Sequence, residues 1–281
     1  MTSIDCLVCG GVCRPSKIPA LLTCDSCSFV TTNIALSGEE LERLYSASYF
    51  AGDEYKDYVA ERPLIEAHFR KRLGRLEAYA GDLSRKRLFE IGCAYGFFLE
   101  VARRKVAAVE GIDISIDAAQ YASQTLGLPV HTGDFLDYEF HENVDIVCLW
   151  DTIEHLQHPH LYIEKAAAYM NRGGILALTT GDIGSLMARW RGARWRQIHP
   201  PTHLHYFSKA TLTRLLQKYG FSTRYCGYEG MPRSLDTMAY IVLVLKRQQP
   251  GLYRALKRTG LLERSLYLNL FDIMFVIASK T

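Results

Sequence analysis

The chain has no strong excess of charge of either sign, since 33 lysines and arginines face 30 aspartates and glutamates and leave a formal net charge of +3. A balance that mild makes no case for nucleic acid, whose partners usually carry a strongly basic footprint. Residues 1–12 have neither a basic start nor a long apolar run, so no secretory leader is expected and the chain is expected in the cytoplasm. A bilayer-spanning run is also missing: Met238 to Leu245 is eight uncharged residues, where a spanning helix needs roughly twenty. Nor is there a G-x-G-x-x-G turn, which argues against a nicotinamide dinucleotide.

What is present suffices for one large α/β domain and a small satellite, because 281 residues at 48% hydrophobic content can bury a sizeable core. Eight cysteines in a cytoplasmic chain favour metal binding or burial over disulfides. Cys6-x2-Cys9 and Cys24-x2-Cys27, fourteen residues apart, have the spacing of a zinc ribbon in which four thiolates surround one tetrahedral Zn2+. Residues 1–36 form this unit and are too few for an apolar core, so the structural zinc would supply the folding energy. Cys13 is a competing ligand that the paired geometry disfavours, and redox chemistry at either C-x-x-C is the alternative.

Residues 37–84 read as a helical linker. Ser37-Gly38-Glu39-Glu40 has the pattern of a capped helix start, and aromatics from Tyr45 to Tyr58 cluster around Gly52. Residues 63–80 read as an amphipathic helix with Leu64, Ile65, Phe69, Leu73 and Leu76 inward, and with Arg70, Lys71, Arg72 and Arg75 as a solvated stripe. Residues 85–281 form the main domain. Arg87 to Leu99 predicts a strand, a tight turn at Gly92 and Gly96, and a helix whose opening N–H groups can hold an anion. Twenty-one residues after Gly92, a second strand ends on Asp113, the distance at which such folds grip ribose hydroxyls.

Glu90-x-Gly92-Cys93-Ala94-x-Gly96 resembles the first motif of class I S-adenosylmethionine-dependent methyltransferases, with Ala94 where the commonest form has glycine. Gly133-Asp134-Phe135, the buried strand Val144–Trp150, Asp151 to Pro159 and Asn171 to Leu178 resemble later motifs of the same family in order and spacing. The resemblance implies a Rossmann-like, doubly wound α/β domain with a mainly parallel seven-stranded sheet. It implies S-adenosylmethionine as cofactor and S-adenosylhomocysteine as product, held at Glu90, Gly92, Cys93, Ala94, Gly96, Asp113, Ile114, Asp134, Phe135 and Trp150. Asp134 would accept from the adenine amino group and the Phe135 N–H would face the ring. Tyr49 and Tyr58, from the segment before the first strand, are the implied lid.

Residues 189–207 interleave arginine with tryptophan, a composition that can stack bases or pair phosphates. Pro201-x-His203-Leu204-x-x-Phe207-Ser208 resembles a segment of bacterial methyltransferases that act on sugars and small metabolites, and His203 is the expected general base, with His199 and His155 in reserve. The last strand is expected over Leu266–Ser279, preceded by an insertion at 231–263 that packs over the site or meets a membrane surface or an apolar substrate. The expected activity is O-methylation of a sugar or small metabolite, such as a natural-product or polysaccharide precursor or a glycan, with N- or C-methylation open. The alternatives are a ribosomal or transfer RNA methyltransferase and a non-catalytic cofactor-binding scaffold. Oligomeric state is not legible.

Overall fold

A computed structural model describes residues 3–44 and 58–281 of the chain. The expected lid residue Tyr49 lies outside the described residues. The N-terminal unit is antiparallel: β1 (Ile4–Asp5), β2 (Val12–Pro15), β3 (Leu21–Cys24) and β4 (Val30–Thr32). Each C-x-x-C is followed by a left-handed residue, Gly10 at φ +75° and Ser28 at φ +61°, which turns the chain so that both sulfurs of a pair face the same way. Then comes α1 (Gly38–Leu44), opened by reciprocal bonds in which the Ser37 N–H donates to Glu40 and the Glu40 N–H donates to Ser37 Oγ.

The main domain begins with α2 (Arg62–Ala80), which enters through Pro63 and buries His68, Phe69, Arg72, Leu73 and Leu76 along one face. There follow β5 (Arg87–Ile91), α3 (Phe97–Ala102), β6 (Ala108–Asp113), α4 (Ile116–Gln120), which widens into a π turn over Tyr121–Thr125, β7 (Val130–Thr132), β8 (Val144–Trp150) and α5 (Pro159–Tyr169). Next are β9 (Met170–Gly181), α6 (Leu186–Arg191), β10 (His205–Tyr206), α7 (Lys209–Lys218) and β11 (Phe221–Tyr228). After β12 (Met231–Ser234) come α8 (Leu235–Ala239), prolonged as a π turn over Tyr240–Lys246, α9 (Pro250–Arg258), β13 (Ser265–Leu268) and β14 (Ile273–Lys280).

The large sheet has the order β11-β14-β9-β8-β5-β6-β7, and only β14 runs against its neighbours. This is the expected mainly parallel seven-stranded, doubly wound architecture. β8 and β14 are buried along most of their length because both faces are covered, which is why they read as continuous apolar runs. Chain order reverses between β5 and β8, opening a crevice at their C-terminal ends.

Three expectations are corrected. The final strand is not one piece over Leu266–Ser279: Phe271 at φ +55° breaks it, and Ser265–Leu268 leaves the sheet to pair with β12. Those four residues are all exposed, so nothing holds them in the core sheet, and the insertion extends through Phe271, just before β14. The basic stripe of α2 is not all solvated. Arg72 is fully buried, and Arg75 is half-buried with its guanidinium over the Tyr225 and Phe275 rings, whereas Arg70 and Lys71 are exposed. Finally, the cysteine unit, expected as a small satellite without an apolar core, takes its core from the main domain. β10 of the main domain extends its sheet, pairing His205 with Thr31 and Tyr206 with Val30. Cys6, Val8, Cys13, Cys24 and Phe29 share one apolar cluster with residues of β8, α5 and α7.

Candidate active site

The site is built where β5 turns into α3. Gly92 sits at φ +72°, and a Cβ there would come within 2.6 Å of Thr152 Cγ2, so the turn packs against the loop after β8 only without a side chain. Ala94 adopts φ +46°, a left-handed conformation at the position where the implied family usually carries glycine. The carboxylate of Asp113, at the end of β6, accepts from the Ala94 N–H at 2.7 Å and the Ser115 N–H at 2.9 Å, fastening the turn to the second strand. A cavity of about 290 Å³ opens here.

Of the residues expected to hold cofactor, Glu90, Gly92, Cys93, Ala94, Asp113, Ile114, Asp134, Phe135, Trp150 and Tyr58 all line this cavity. Gly96, at φ +74°, lies behind the turn against Leu128 and Ala122 and does not. Asp134 opens a short turn over Phe135–Asp137, accepting from the Leu136 N–H at 2.7 Å and the Tyr162 hydroxyl at 2.5 Å, which holds it at the wall. The Tyr58 ring stacks on Phe97 at 5.3 Å, so it stands at the cavity edge on a packed neighbour.

Burial, then the nearby Asp113, push the Glu90 carboxyl well above its ordinary range, and its Oε2 has no hydrogen-bond partner among the described residues. An unpartnered carboxylate in an apolar wall is unfavourable until a cation or donor meets it. That fits a cofactor carrying an ammonium and a sulfonium. Across the cavity, Arg72 donates from Nε to Glu229 Oε2 at 2.8 Å and from Nη2 to Asp151 Oδ2 at 3.3 Å, with its guanidinium over the Trp150 ring. Burial alone would raise Glu229, but Arg72 and His68 hold it at about 2. The residues that sequence reasoning missed are mainly His68, Arg72, Met231 and Arg233. For Arg72 a signal existed, since it sits on the same turn phase as Phe69, Leu73 and Leu76; the β12 residues gave none.

The histidines are arranged differently from expectation. His155 lines the cavity, donates from Nδ1 to the Thr202 carbonyl at 3.0 Å, and is pushed down to about 4 by burial. His203 does not line the cavity. It is buried behind His155, ring centroids 4.6 Å apart, and against His199 at 3.8 Å, and its pKa is driven far down, first by burial. His199 is half-buried and also off the cavity wall. The cause is the N-terminal unit: pairing of β10 with β4 takes His205 and Tyr206 into its sheet, where His205 Nδ1 meets Thr31 Oγ1 at 2.9 Å, and the Glu154 carbonyl accepts from the Leu204 and His205 N–H groups. The Glu154 side chain is buried, raised to about 8 by desolvation and Asp151, and its Oε2 is unpartnered among the described residues. The Arg/Trp loop is likewise divided. Trp195 is buried and donates to Asp272 at 2.9 Å, leaving only Trp190 exposed, so the two tryptophans form no shared platform.

In the N-terminal unit, Cys6 and Cys27 sulfurs are 3.6 Å apart and those of Cys9 and Cys24 are 3.5 Å apart, with all four within 4.8 Å of one another. Tetrahedral Zn–S bonds of about 2.3 Å put sulfurs roughly 3.8 Å apart, so this donor set fits zinc in size and chemistry. Cys13 is buried beside the four and is not one of them.

A family model described as a methyltransferase domain matches residues 61–225. Among curated proteins, the chain is similar to the ubiquinone biosynthesis O-methyltransferases of Nitrosomonas europaea, 26% identical over 50% of this chain and 61% of that one, and of Nitrobacter winogradskyi, 30% identical over 34% and 38%. The chain thus spans less than two thirds of the length of these relatives. Among solved structures, the magnesium protoporphyrin IX methyltransferase of Synechocystis PCC 6803 with bound S-adenosylhomocysteine has a TM-score of 0.55 at 14% identity, covering 87% of this chain and 100% of that one. A S-adenosylmethionine-dependent methyltransferase from Archaeoglobus fulgidus has a TM-score of 0.53 at 19% identity, covering 79% and 99%. With the sheet order, the β5 turn and the lined cavity in agreement with these matches, the chain belongs to the methyltransferase-domain family and has the class I S-adenosylmethionine-dependent methyltransferase fold.

Proposed function

We propose that the chain transfers the methyl group of S-adenosylmethionine to a hydroxyl of a small-molecule acceptor, a sugar or related metabolite such as a natural-product or polysaccharide precursor. The observation that carries this reading is a single cavity with an unpartnered buried carboxylate, Glu90, on one wall and a neutral imidazole, His155, on another. The curated relatives are named as O-methyltransferases, which supports oxygen as the acceptor atom.

When bound, the cofactor supplies an electrophilic methyl on a sulfonium. Glu90 would offer a carboxylate to its cationic groups, Asp113 would receive the ribose hydroxyls, and Asp134 would receive the adenine amino group. The remaining tasks are to align the hydroxyl in line and to remove its proton. His155 suits the second: with Nδ1–H committed to the Thr202 carbonyl, the lone pair is on Nε2, and burial keeps the ring neutral at physiological pH. His203 then acts through His155 as a positioning residue. Four thiolates from Cys6, Cys9, Cys24 and Cys27 hold a structural zinc.

Incubating the protein with S-adenosylmethionine and candidate acceptors, read by mass spectrometry, tests the activity. His155→Ala should lower kcat by about 10² to 10⁴ with cofactor affinity within a few fold. The wild-type acid limb should fall near pH 4 and not near neutrality. Ordinary turnover by His155→Ala would remove this residue from the mechanism. A second reading has its own observation, that ligand atoms of Glu154, His155 and His203 lie within 4.8 Å of one another and could hold a divalent cation. Activity lost to a chelator and restored by Mn2+ alone, without added zinc, would favour it.

A further inference from the structure

The insertion from Met231 to Phe271 contributes Met231, Pro232 and Arg233 to the cavity wall, and the rest of it has no part in the site described above. Its surface is unlike that of the remaining chain. It carries seven basic side chains against Asp236 and Glu263, a net +5, so the other residues of a chain with net charge +3 sum to −2. Arg254, Lys257 and Arg258 are exposed on α9 and Lys246, Arg247 and Arg264 flank it.

Apolar side chains are exposed among these charges. Leu245, Leu252, Leu261, Leu266, Leu268 and Phe271 all face outward, Leu261 at 54% and Phe271 at 62% exposure. These are not the remains of a frayed segment. Leu243 and Tyr253 are buried beneath them, the Tyr253 hydroxyl donates to Asp236 at 2.7 Å, and the Tyr240 and Tyr253 rings meet edge to face. The insertion therefore has an inner seam of its own and turns a second, basic and apolar, face outward.

We propose that this face seats the protein on an anionic phospholipid surface, with the leucines entering the acyl boundary and the basic side chains meeting headgroup phosphates. Interfacial elements combine these two features, apolar side chains that enter the acyl boundary and cations that meet anionic headgroups. Among the described residues no helix is long and apolar enough to cross a membrane, so the contact is peripheral. A second copy of the chain is the poorer occupant, because it would bring together two faces whose exposed charges are mostly basic. β13 pairs with β12, and β12 lines the cavity, so the seated face is one strand from the cavity. The inference rests on the surface and not on the reaction proposed above, so either can fail alone.

Co-sedimentation of the full chain with vesicles tests it. Vesicles of phosphatidylcholine mixed with phosphatidylglycerol should bind the protein, phosphatidylcholine alone should bind it poorly, and added salt should weaken binding. Arg254→Glu with Arg258→Glu, and separately Leu252→Ser with Leu261→Ser, should each reduce binding roughly tenfold or more while melting temperature and S-adenosylmethionine affinity stay at wild-type values. Absence of binding to the mixed vesicles at low salt, or wild-type binding by both variants, would overturn the proposal. So would a concentration-dependent dimer in sedimentation that the leucine variant abolishes, which would make the face a self-interface.

Discussion

Arg72 concentrates more of the site's electrostatics than any other side chain described. It is 2% exposed, shared between Glu229 and Asp151, and stacked over Trp150, so it ties α2 to the end of β8 and to the start of the insertion. Breaking a buried pair by removing one partner strands the other charge, at a cost of about 3 to 5 kcal/mol. Arg72→Met should accordingly lower unfolding free energy by that order in urea titration. Arg72→Lys should recover only part of the loss, because one ammonium cannot reproduce the guanidinium's two-sided fork. Wild-type stability in Arg72→Met would mean that Glu229 takes up a proton at no penalty. From the sequence, Arg72 reads as one of four basic residues on a wet face. Its helical phase sets it with Phe69, Leu73 and Leu76, but the carboxylates that let a guanidinium be buried there lie 79 and 157 residues downstream, where periodicity within the helix does not reach.

At the scale of elements, the decisive contact is the pairing of β10 with β4. It links the cysteine unit to the segment entering β10, where the Thr32 N–H donates to the Leu204 carbonyl, and that segment to the loop after β8, where the Glu154 carbonyl accepts from the Leu204 and His205 N–H groups; Gln157 of the same loop donates directly to the Leu36 carbonyl. His155 sits on that same loop. Loss of the proposed zinc should thus be felt at the cavity and not only in the N-terminal unit. For Cys24→Ser we expect loss of the one zinc per chain in elemental analysis, together with a lower melting temperature and a weaker S-adenosylmethionine affinity by calorimetry. Zinc loss with unchanged cofactor affinity would show that β10 keeps its place without the ribbon. The Pro-x-His-Leu segment was legible as something special, yet its role is mainly to form this strand. A two-residue pairing between segments more than 170 positions apart, Thr31 with His205 and Val30 with Tyr206, has no local signature.

For the whole molecule, buried titratable groups set the pH range of stability. His155 and His205 have pKa values of about 4 when folded, against about 6.5 when unfolded. Between these values the unfolded chain binds more protons, so their contribution is complete above pH 6.5 and is lost as pH falls toward 4, at up to about 3 kcal/mol each. Glu154, raised to about 8, acts in the opposite sense: the folded state keeps a proton that the unfolded chain has shed, so its contribution is lost as pH rises from about 4.5 to 8. Urea midpoints should therefore peak near pH 6.5 and fall on both sides, and His205→Gln should flatten the acid side. A midpoint that rises steadily from pH 5 to 8 would contradict this balance.

The chain's own order of residues determined the β5 turn, the carboxylate closing β6, the seven-stranded α/β plan and the paired cysteines. Each of these depends on short spacings and on glycine or apolar periodicity, which act within one strand–turn–helix unit whatever surrounds it. Only the tertiary structure decided which histidine meets the cavity, which arginine is buried, and where the last strand begins. Those outcomes turn on desolvation and on pairing between distant segments. The same imidazole is a neutral cavity wall or a packed interior ring according to what lies behind it, and the ribbon's sheet, by taking up β10, put His203 behind His155.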